Sequence, residues 1–248
     1  MRYIGHGFQK LMAFTAVGLL LAACSTNGTG TRQDGISDPI EGVNRGIFKF
    51  NDVVDRAVLK PVAEGYRTGV PKPARVGVRN ALRNLKSPQI VANDLLQGNL
   101  TGAGDGLTRF FVNTLFGLGG TIDVAGAEGV TYKEEDFGQT LGVWGAESGP
   151  YVVLPFFGPS SVRDTAGLAV DLYTDPVRLT LENTDHYVAS YTRSTIAVVD
   201  KREELLDVLA DLKKNSIDYY AATKSAYTQR RESLISNNGQ NGDLPDMP

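Results

Sequence analysis

Apolar positions along the chain recur mostly at helical spacing. Val43, Ile47, Val54 and Val58 fall on one face, and Phe48, Phe50 and Val53 widen it. Ahead of them, Asp38-Pro39-Ile40-Glu41 predicts a helix start. Asp38 would cap, Pro39 suits the first turn, and Glu41 stands three residues on to close a capping box. Lys60-Pro61 predicts an interruption, because proline removes a backbone donor. A second amphipathic run opens at Pro73 with Val76, Val78, Leu82 and Leu85. Ser87-Pro88 is expected to cap a third, carrying Ile90, Val91, Leu95 and Leu96. The fourth runs from about Gly104 through Leu107, Phe110, Phe111, Leu115 and Phe116 to a stop at Gly117.

Beyond Gly117 the texture changes, and glycines from Gly119 to Gly158 punctuate short pieces. Tyr151 to Phe157 is apolar, too short for an ordinary helix, and contains Pro155; it reads as an extended stretch or a short hairpin. Helices resume at Ser160-Ser161 and at Asp175-Pro176. A long one is predicted from about Tyr187 to Leu212, with Leu205, Leu209 and Leu212 on one face. The last, about Ser216 to Ile235, is polar apart from Ile217, Tyr220, Tyr227 and Leu234. The fold class expected is mainly α, with irregular Gly-rich connectors and no internal repeat.

The two ends carry a different pattern. Arg2 and Lys10 precede an apolar stretch from Leu11 to Leu21, which is shorter than the roughly 20 residues a membrane-crossing helix needs. Leu21-Ala22-Ala23-Cys24 follows. A basic start, a short apolar core and small residues at a cut site describe a signal peptide over 1–23. The cysteine at the cut makes it a lipoprotein signal, with acyl chains expected on Cys24, the chain's single cysteine. Each buried methylene contributes about 0.8 kcal/mol, so two chains already anchor stably. Ser25 after the cysteine favours the outer membrane over the inner. Residues 24–37 are small and polar and read as a lipidated flexible tether; 237–248 reads as a disordered tail. A folded body over 38–236 lies between them.

Composition then removes most chemistries. The 248 residues include 25 basic and 28 acidic side chains, a net charge of −3, and the leader takes two of the basic ones away; nothing favours nucleic acid. After the leader only His186 remains as a histidine, and no Gly-x-Ser-x-Gly elbow occurs. His186 reads as a cap or surface residue. No catalytic residue, metal site or cofactor is expected, since a lone histidine and scattered carboxylates make no ligand set. Asp164 and Asp171 share a helix face, as many carboxylates do. Glu134-Glu135-Asp136 reads as a solvated acidic run. Gly117 to Gly120 reads as helix termination and a tight turn, for it lacks the Lys-Ser/Thr of a phosphate loop. Phe48/Phe50, Phe110/Phe111 and Phe156/Phe157 read singly as core, and on helices with wide apolar sectors they could also lie in a bilayer interface.

Three stretches together resemble the MlaA (VacJ) family of outer-membrane lipoproteins of phospholipid trafficking. They are Asp38-Pro-Ile-Glu-Gly-Val-Asn-Arg-Gly-Ile-Phe-Lys-Phe-Asn51; Arg109-Phe-Phe-Val-Asn-Thr114 through Gly117-Leu-Gly-Gly120 to Ile122-Asp-Val-Ala125; and Phe137-Gly-Gln-Thr-Leu-Gly142 with Gly149-Pro-Tyr-Val-Val-Leu-Pro-Phe-Phe-Gly-Pro-Ser160. A weaker echo is Tyr220 with Tyr227-Thr-Gln-Arg230. Ala146-Glu147-Ser148 departs from the more Gly-rich turn of many relatives.

The resemblance implies a ring-like arrangement of amphipathic helices embedded in one leaflet, the periplasmic leaflet of the outer membrane. Phospholipids that have strayed into the outer leaflet would pass through an amphipathic channel to a periplasmic carrier, often beside a trimeric porin, with no catalysis. By the same resemblance Asn44, Arg45, Phe48, Phe50 and Asn51 are candidates to border the channel; they suit an N-terminal helix docked on the core equally well. Gly149, Pro150, Tyr151 and Pro155 belong to a candidate pore loop spanning Gly145 to Gly158, or to a static connector. If the loop moves, stiffening it by Gly149→Pro is expected to change lipid flux without unfolding. Two other functions stay open: a porin-binding adaptor that moves no lipid, and a lipid-anchored hydrolase, against which the scarcity of histidine argues.

The Cys24→Ala protein should keep an uncut leader and lack the added acyl mass, and mass spectrometry of the membrane fraction checks this. An acylated Cys24→Ala product would remove the cysteine from the anchor.

Overall fold

The computed structural model describes residues 36–236. Cys24 and the expected leader, as well as the expected tail over 237–248, lie outside them; of the expected tether only 36–37 lie inside. The first helix, α1 (Glu41–Val54), begins after Ile40 and not at an Asp38 cap. Asp38 is taken by other partners: its carboxylate accepts from Asn44 Nδ2 (2.8 Å) and from the Tyr220 hydroxyl (2.5 Å). Glu41 reaches Arg45 (2.6 Å) in place of closing a capping box.

No interruption occurs at Pro61. The helix passes through a π turn (Asp55–Leu59) into α2 (Lys60–Gly69). Lys60 N–H reaches back five residues to the Asp55 carbonyl, so the ladder has already slipped where Pro61 brings no donor. Arg202 grips the Asp55 carboxylate at 2.5 and 2.8 Å and holds that turn in place.

The second and third predicted runs are one helix, α3 (Lys72–Leu96), with Pro88 inside it. Ser87 does not cap; its hydroxyl bonds the Arg83 carbonyl one turn back (3.2 Å). What offsets the proline is close packing on α4 (Leu100–Phe116), which starts at an Asn99 cap, a turn earlier than predicted. Gly102 and Gly106 make the approach possible. A Cβ at Gly106 would lie 2.8 Å from Val91 Cγ2, and one at Gly102 would lie 2.3 Å from Asp94 Oδ1. Past α4, Leu118, Gly119 and Gly120 all take positive φ, the helix stop and tight turn expected there.

Short helices α5 (Val124–Ala127) and α6 (Phe137–Val143) lead to an antiparallel hairpin, β1 (Tyr151–Leu154) and β2 (Gly158–Ser161), which pairs Tyr151 with Ser161 and Leu154 with Gly158. Ser161 and Asp175 then cap α7 (Val162–Thr174) and α8 (Pro176–Asn183) through their side chains. The predicted long helix breaks at Leu205 into α9 (Tyr187–Glu204) and α10 (Leu206–Asn215), a bend that buries Leu206. Last comes α11 (Tyr219–Ser236). Among the described residues no helix is long and apolar enough to cross a membrane.

Tyr151, Val153 and Tyr220 form a small apolar core, edged by Ile36, Ile47, Phe48 and Tyr227. Two asparagines of α1 fix it. Asn44 Nδ2 donates to the Tyr151 carbonyl (3.0 Å) and its Oδ1 accepts from Val153 N–H (2.9 Å); Asn51 repeats this on the Leu154 carbonyl and Phe156 N–H, both at 2.9 Å. Asn44 thus fills the free edge of β1 itself, while Asn51, about two helical turns on, holds the start of the hairpin turn, since Phe156 lies beyond Leu154. In effect α1 serves β1 as a neighbouring strand.

Elsewhere burial runs against the usual pattern. Leaving glycine aside, sixteen of the buried residues described are polar or charged and ten apolar, while Val43, Phe50, Leu107, Phe111, Leu115 and Phe116 point outward. The phenylalanine pairs divide accordingly. Phe48 packs inward and Phe50 outward, Phe110 is half-buried and Phe111 exposed, and Phe156 and Phe157 are both exposed.

Asn44→Ala leaves a buried carbonyl and a buried N–H without partners, each worth about 1–3 kcal/mol. Denaturant unfolding in detergent should show a loss of about 2–4 kcal/mol. A loss under about 1 kcal/mol would remove the asparagine clamp from the hairpin's support.

Candidate functional site

Charged residues of α3 and α9 face each other across a cavity of about 900 Å³. Arg79, Arg83 and Lys86 recur on one face of α3 at spacings of four and three; Arg193, Ala197, Asp200, Lys201 and Glu204 do the same on α9. Tyr132 and Glu134, from the segment before α6, close one side, and Arg230 of α11 reaches in. Sequence reading missed this wall because it followed only the apolar stripe of α3. The signal was present in the arginines at helical spacing beside it.

The wall is held by pairing. Arg79 bonds Asp200 (3.0 Å) and Glu203 (2.9 Å), and Glu203 also takes Arg67 (2.9 Å) and Arg75. Arg83 reaches Glu204 at 3.2 Å and lies over the Tyr132 ring at 4.8 Å. Glu134 receives Lys86 (3.1 Å) and Arg230 (2.9 Å).

The acidic run is therefore not a solvated surface. Its three side chains meet different neighbours. Glu134 and Asp136 meet cations: Lys86 above all holds the Glu134 carboxyl down at about 2, and at Asp136 burial works the other way but Arg231 outweighs it, again giving about 2. Glu135 faces inward. Its Oε2 accepts from Gln97 (2.8 Å), its Oε1 has no partner, and burial pushes the group up to about 7. Burial likewise raises Asp94 to about 6, against the pull of Asn99.

A second cavity of about 600 Å³ adjoins the first and is apolar. Ala74, Gly77, Val78, Ala81 and Leu85 of α3 line it with Ile122 and Ile196. Leu82 and Arg193 line both cavities. An apolar groove thus opens onto a charged chamber.

None of the candidate channel-bordering and pore-loop residues lines either cavity. Asn44 and Asn51 hold the hairpin. Arg45 joins Glu41 and Asp218 (both 2.6 Å) and lies over the Tyr220 ring; Phe48 packs on Tyr219 and Tyr220, and Phe50 on Phe156. Tyr151 is 0% exposed at the core's centre, Pro150 precedes β1, and Pro155 lies in the hairpin turn. Gly149 has φ +67°, and a Cβ there would sit 3.3 Å from Val162 Cβ. Proline locks φ near −65°, so Gly149→Pro would break this turn and cannot report on motion alone.

The other polar candidates have structural partners. His186 is exposed, 3.0 Å from the Thr184 hydroxyl. Asp164 accepts from Arg163 (3.0 Å) and Arg231 (2.9 Å), and Asp171 accepts from Gln89 (2.7 Å) and Phe137 N–H (3.0 Å). No metal-holding cluster occurs among the described residues.

The two kinds of carboxylate set opposite pH dependences. Glu135 and Asp94 titrate higher folded than unfolded, where 4.5 and 3.8 apply, so their burial penalty is full above about 7 and relieved as pH falls toward 4. Glu134 and Asp136 titrate lower folded, so their contribution is present above those unfolded values and lost as pH falls toward about 2. The melting temperature should rise from about pH 8 to about pH 5 and fall below about pH 4, and Glu135→Gln should flatten the alkaline limb. Thermal unfolding across that range checks it; an unchanged alkaline slope in Glu135→Gln would place the titration elsewhere.

Residues 36–234 match the family model described as MlaA lipoprotein. The chain is 39% identical over 236 residues to "Intermembrane phospholipid transport system lipoprotein MlaA" of Shigella flexneri, covering 93% of this chain and 90% of that protein. Its counterpart of the same description in Escherichia coli (strain K12) is 38% identical over 235 residues, with the same coverage. A solved structure described as "Structural basis for maintenance of bacterial outer membrane lipid asymmetry" superposes with a TM-score of 0.68 at 39% identity, covering 80% of this chain and 99% of the other. The chain belongs to the MlaA lipoprotein family.

Proposed function

We propose that this protein is an outer-membrane lipoprotein, anchored through Cys24, that takes phospholipids out of the outer leaflet and passes them to a periplasmic carrier, so maintaining the membrane's lipid asymmetry. It does so without catalysis. The observation that carries this reading is the pair of joined cavities, one charged and one apolar. A phospholipid needs both at once, a wet path for its headgroup and a dry one for its tails. The Shigella and Escherichia relatives are described as parts of an intermembrane phospholipid transport system, which supports the same cargo here.

The inverted burial supports seating in a bilayer leaflet, and an anchor at Cys24 would make it the periplasmic one. Outward Leu107, Phe111, Leu115 and Phe116 on α4 gain from hydrocarbon what they would lose in water, whereas ion pairs occupy the interior. Helices arranged ring-like around the chamber would keep the polar path away from the lipid tails, and a trimeric porin beside them would cover part of the outer face. Arg45 and Phe48 tie α1 to the start of α11, and Arg230 of the same helix lines the chamber. Through α11, the asparagine clamp sets where that wall of the route stands. The segment from Gly145 to Gly158 is the loop most directly placed to follow α1 in any movement, since Asn44 and Asn51 join them.

Loss of the gene should raise outer-leaflet phospholipid, and the wild-type gene should reverse the rise. Ala81→Trp fills the apolar groove and should leave a membrane-bound protein that fails to reverse it. Labelling of surface-exposed phospholipid reads both. Full rescue by Ala81→Trp would favour an adaptor that moves no lipid.

A further inference from the structure

Arg193 is the one charged residue lining the apolar groove, and it lines the charged chamber as well. It therefore stands where a dry surface gives way to a wet one. A glycerophospholipid has the same boundary, with its phosphodiester one short link from its tails. Building on the proposed lipid passage, we infer that Arg193 is the positioning residue that takes the lipid's phosphodiester, exchanging for it the Asp175 carboxylate that its guanidinium holds.

Among the chamber's cations Arg193 alone also lines the apolar groove, and its ion pair is easier to exchange than those of Arg79, Lys86 and Arg230. Glu203 and Asp200, 5% and 4% exposed, would be left buried and underpaired if Arg79 turned away. Glu134 joins two helices through Lys86 and Arg230, so losing either cation loosens the wall. Asp175 is different. Its Oδ1 accepts from Val177 N–H (3.0 Å) and Arg178 N–H (3.1 Å) at the start of α8, and its Oδ2 alone faces Arg193. When Arg193 swings to a phosphate, the carboxylate keeps its cap and stays solvated, for both side chains remain about one-fifth exposed. A guanidinium offers a phosphodiester the same forked pair of donors it offers a carboxylate.

The test uses the full-length acylated protein in detergent micelles, with phosphatidylglycerol and a diacylglycerol of identical acyl chains as probes and retained lipid counted after gel filtration. The wild type should retain phosphatidylglycerol about tenfold better than diacylglycerol, the loss expected for one charge-assisted contact. Arg193→Gln should abolish the preference, and Arg193→Lys should keep part of it. Asp175→Asn is the decisive variant. Asparagine caps a helix as well as aspartate does, so folding is kept while the competing charge goes, and phosphatidylglycerol retention should rise. Undiminished preference in Arg193→Gln, or weaker retention in Asp175→Asn at unchanged melting temperature, overturns the exchange and leaves the lipid passage standing. A wild type that retains neither lipid overturns both. Glycerol 3-phosphate at equal concentration should not displace the lipid; displacement would assign the site to a soluble phosphate ester and overturn the boundary role.

Discussion

Glu203 of α9 accepts from Arg67, Arg75 and Arg79, three arginines from α2 and α3, and Asp200 one turn earlier takes a further bond from Arg79. These carboxylates are nearly buried, and the rest of the structure depends on that seam. A protein that turns its phenylalanines and leucines outward cannot hold its helices together by a large apolar core. The apolar core described here consists of three buried side chains and their rim. Geometry must come from groups that lose much when separated, and a buried ion pair broken on one side is such a group. The same seam leaves cations along a helix face, and those cations form the chamber wall.

The remainder of the architecture solves a backbone problem. A two-stranded hairpin is marginal by itself. Here side-chain amides of α1 satisfy the edge of β1 and the start of its turn, and Tyr220 of α11 packs edge-on against Tyr151. Tyr220 also donates to Asp38, so the first described turn, the hairpin and the last helix share one set of bonds. α11 carries this set at its start and Arg230 about 15 Å further on, which links a structural end of the fold to the functional one.

Placing carboxylates of opposite behaviour side by side is a further use of the polar interior. Glu134 and Asp136 stay ionised against Lys86, Arg230 and Arg231, whereas Glu135 between them is buried with an oxygen unmatched. Different neighbours produce the difference among three consecutive acids. In the chamber wall Glu134 thus stays ionised in the neutral range while Glu135 beside it titrates.

The sequence by itself determined the helical class, the helix starts near Ser161 and Asp175, the stop after Phe116 and the family blocks, because each is written in neighbouring residues. It also carried the Cys24 motif, which lies outside the described residues. Helix limits at Asp38, Pro61, Pro88 and Leu205 were legible only as local preferences. Tertiary partners overrode them: Tyr220 drew Asp38 away from its cap, Arg202 held a π turn before Pro61, and α4 packed closely enough to carry Pro88. The outward or inward turn of each phenylalanine could not be read either, since helical spacing fixes angles between side chains and not which face meets water. The chamber needed the structure most. Its residues come from α3, α9, α11 and the segment before α6, and only the folded chain brings charges more than a hundred positions apart within bonding distance, leaving Arg193 at the edge between its polar and apolar halves.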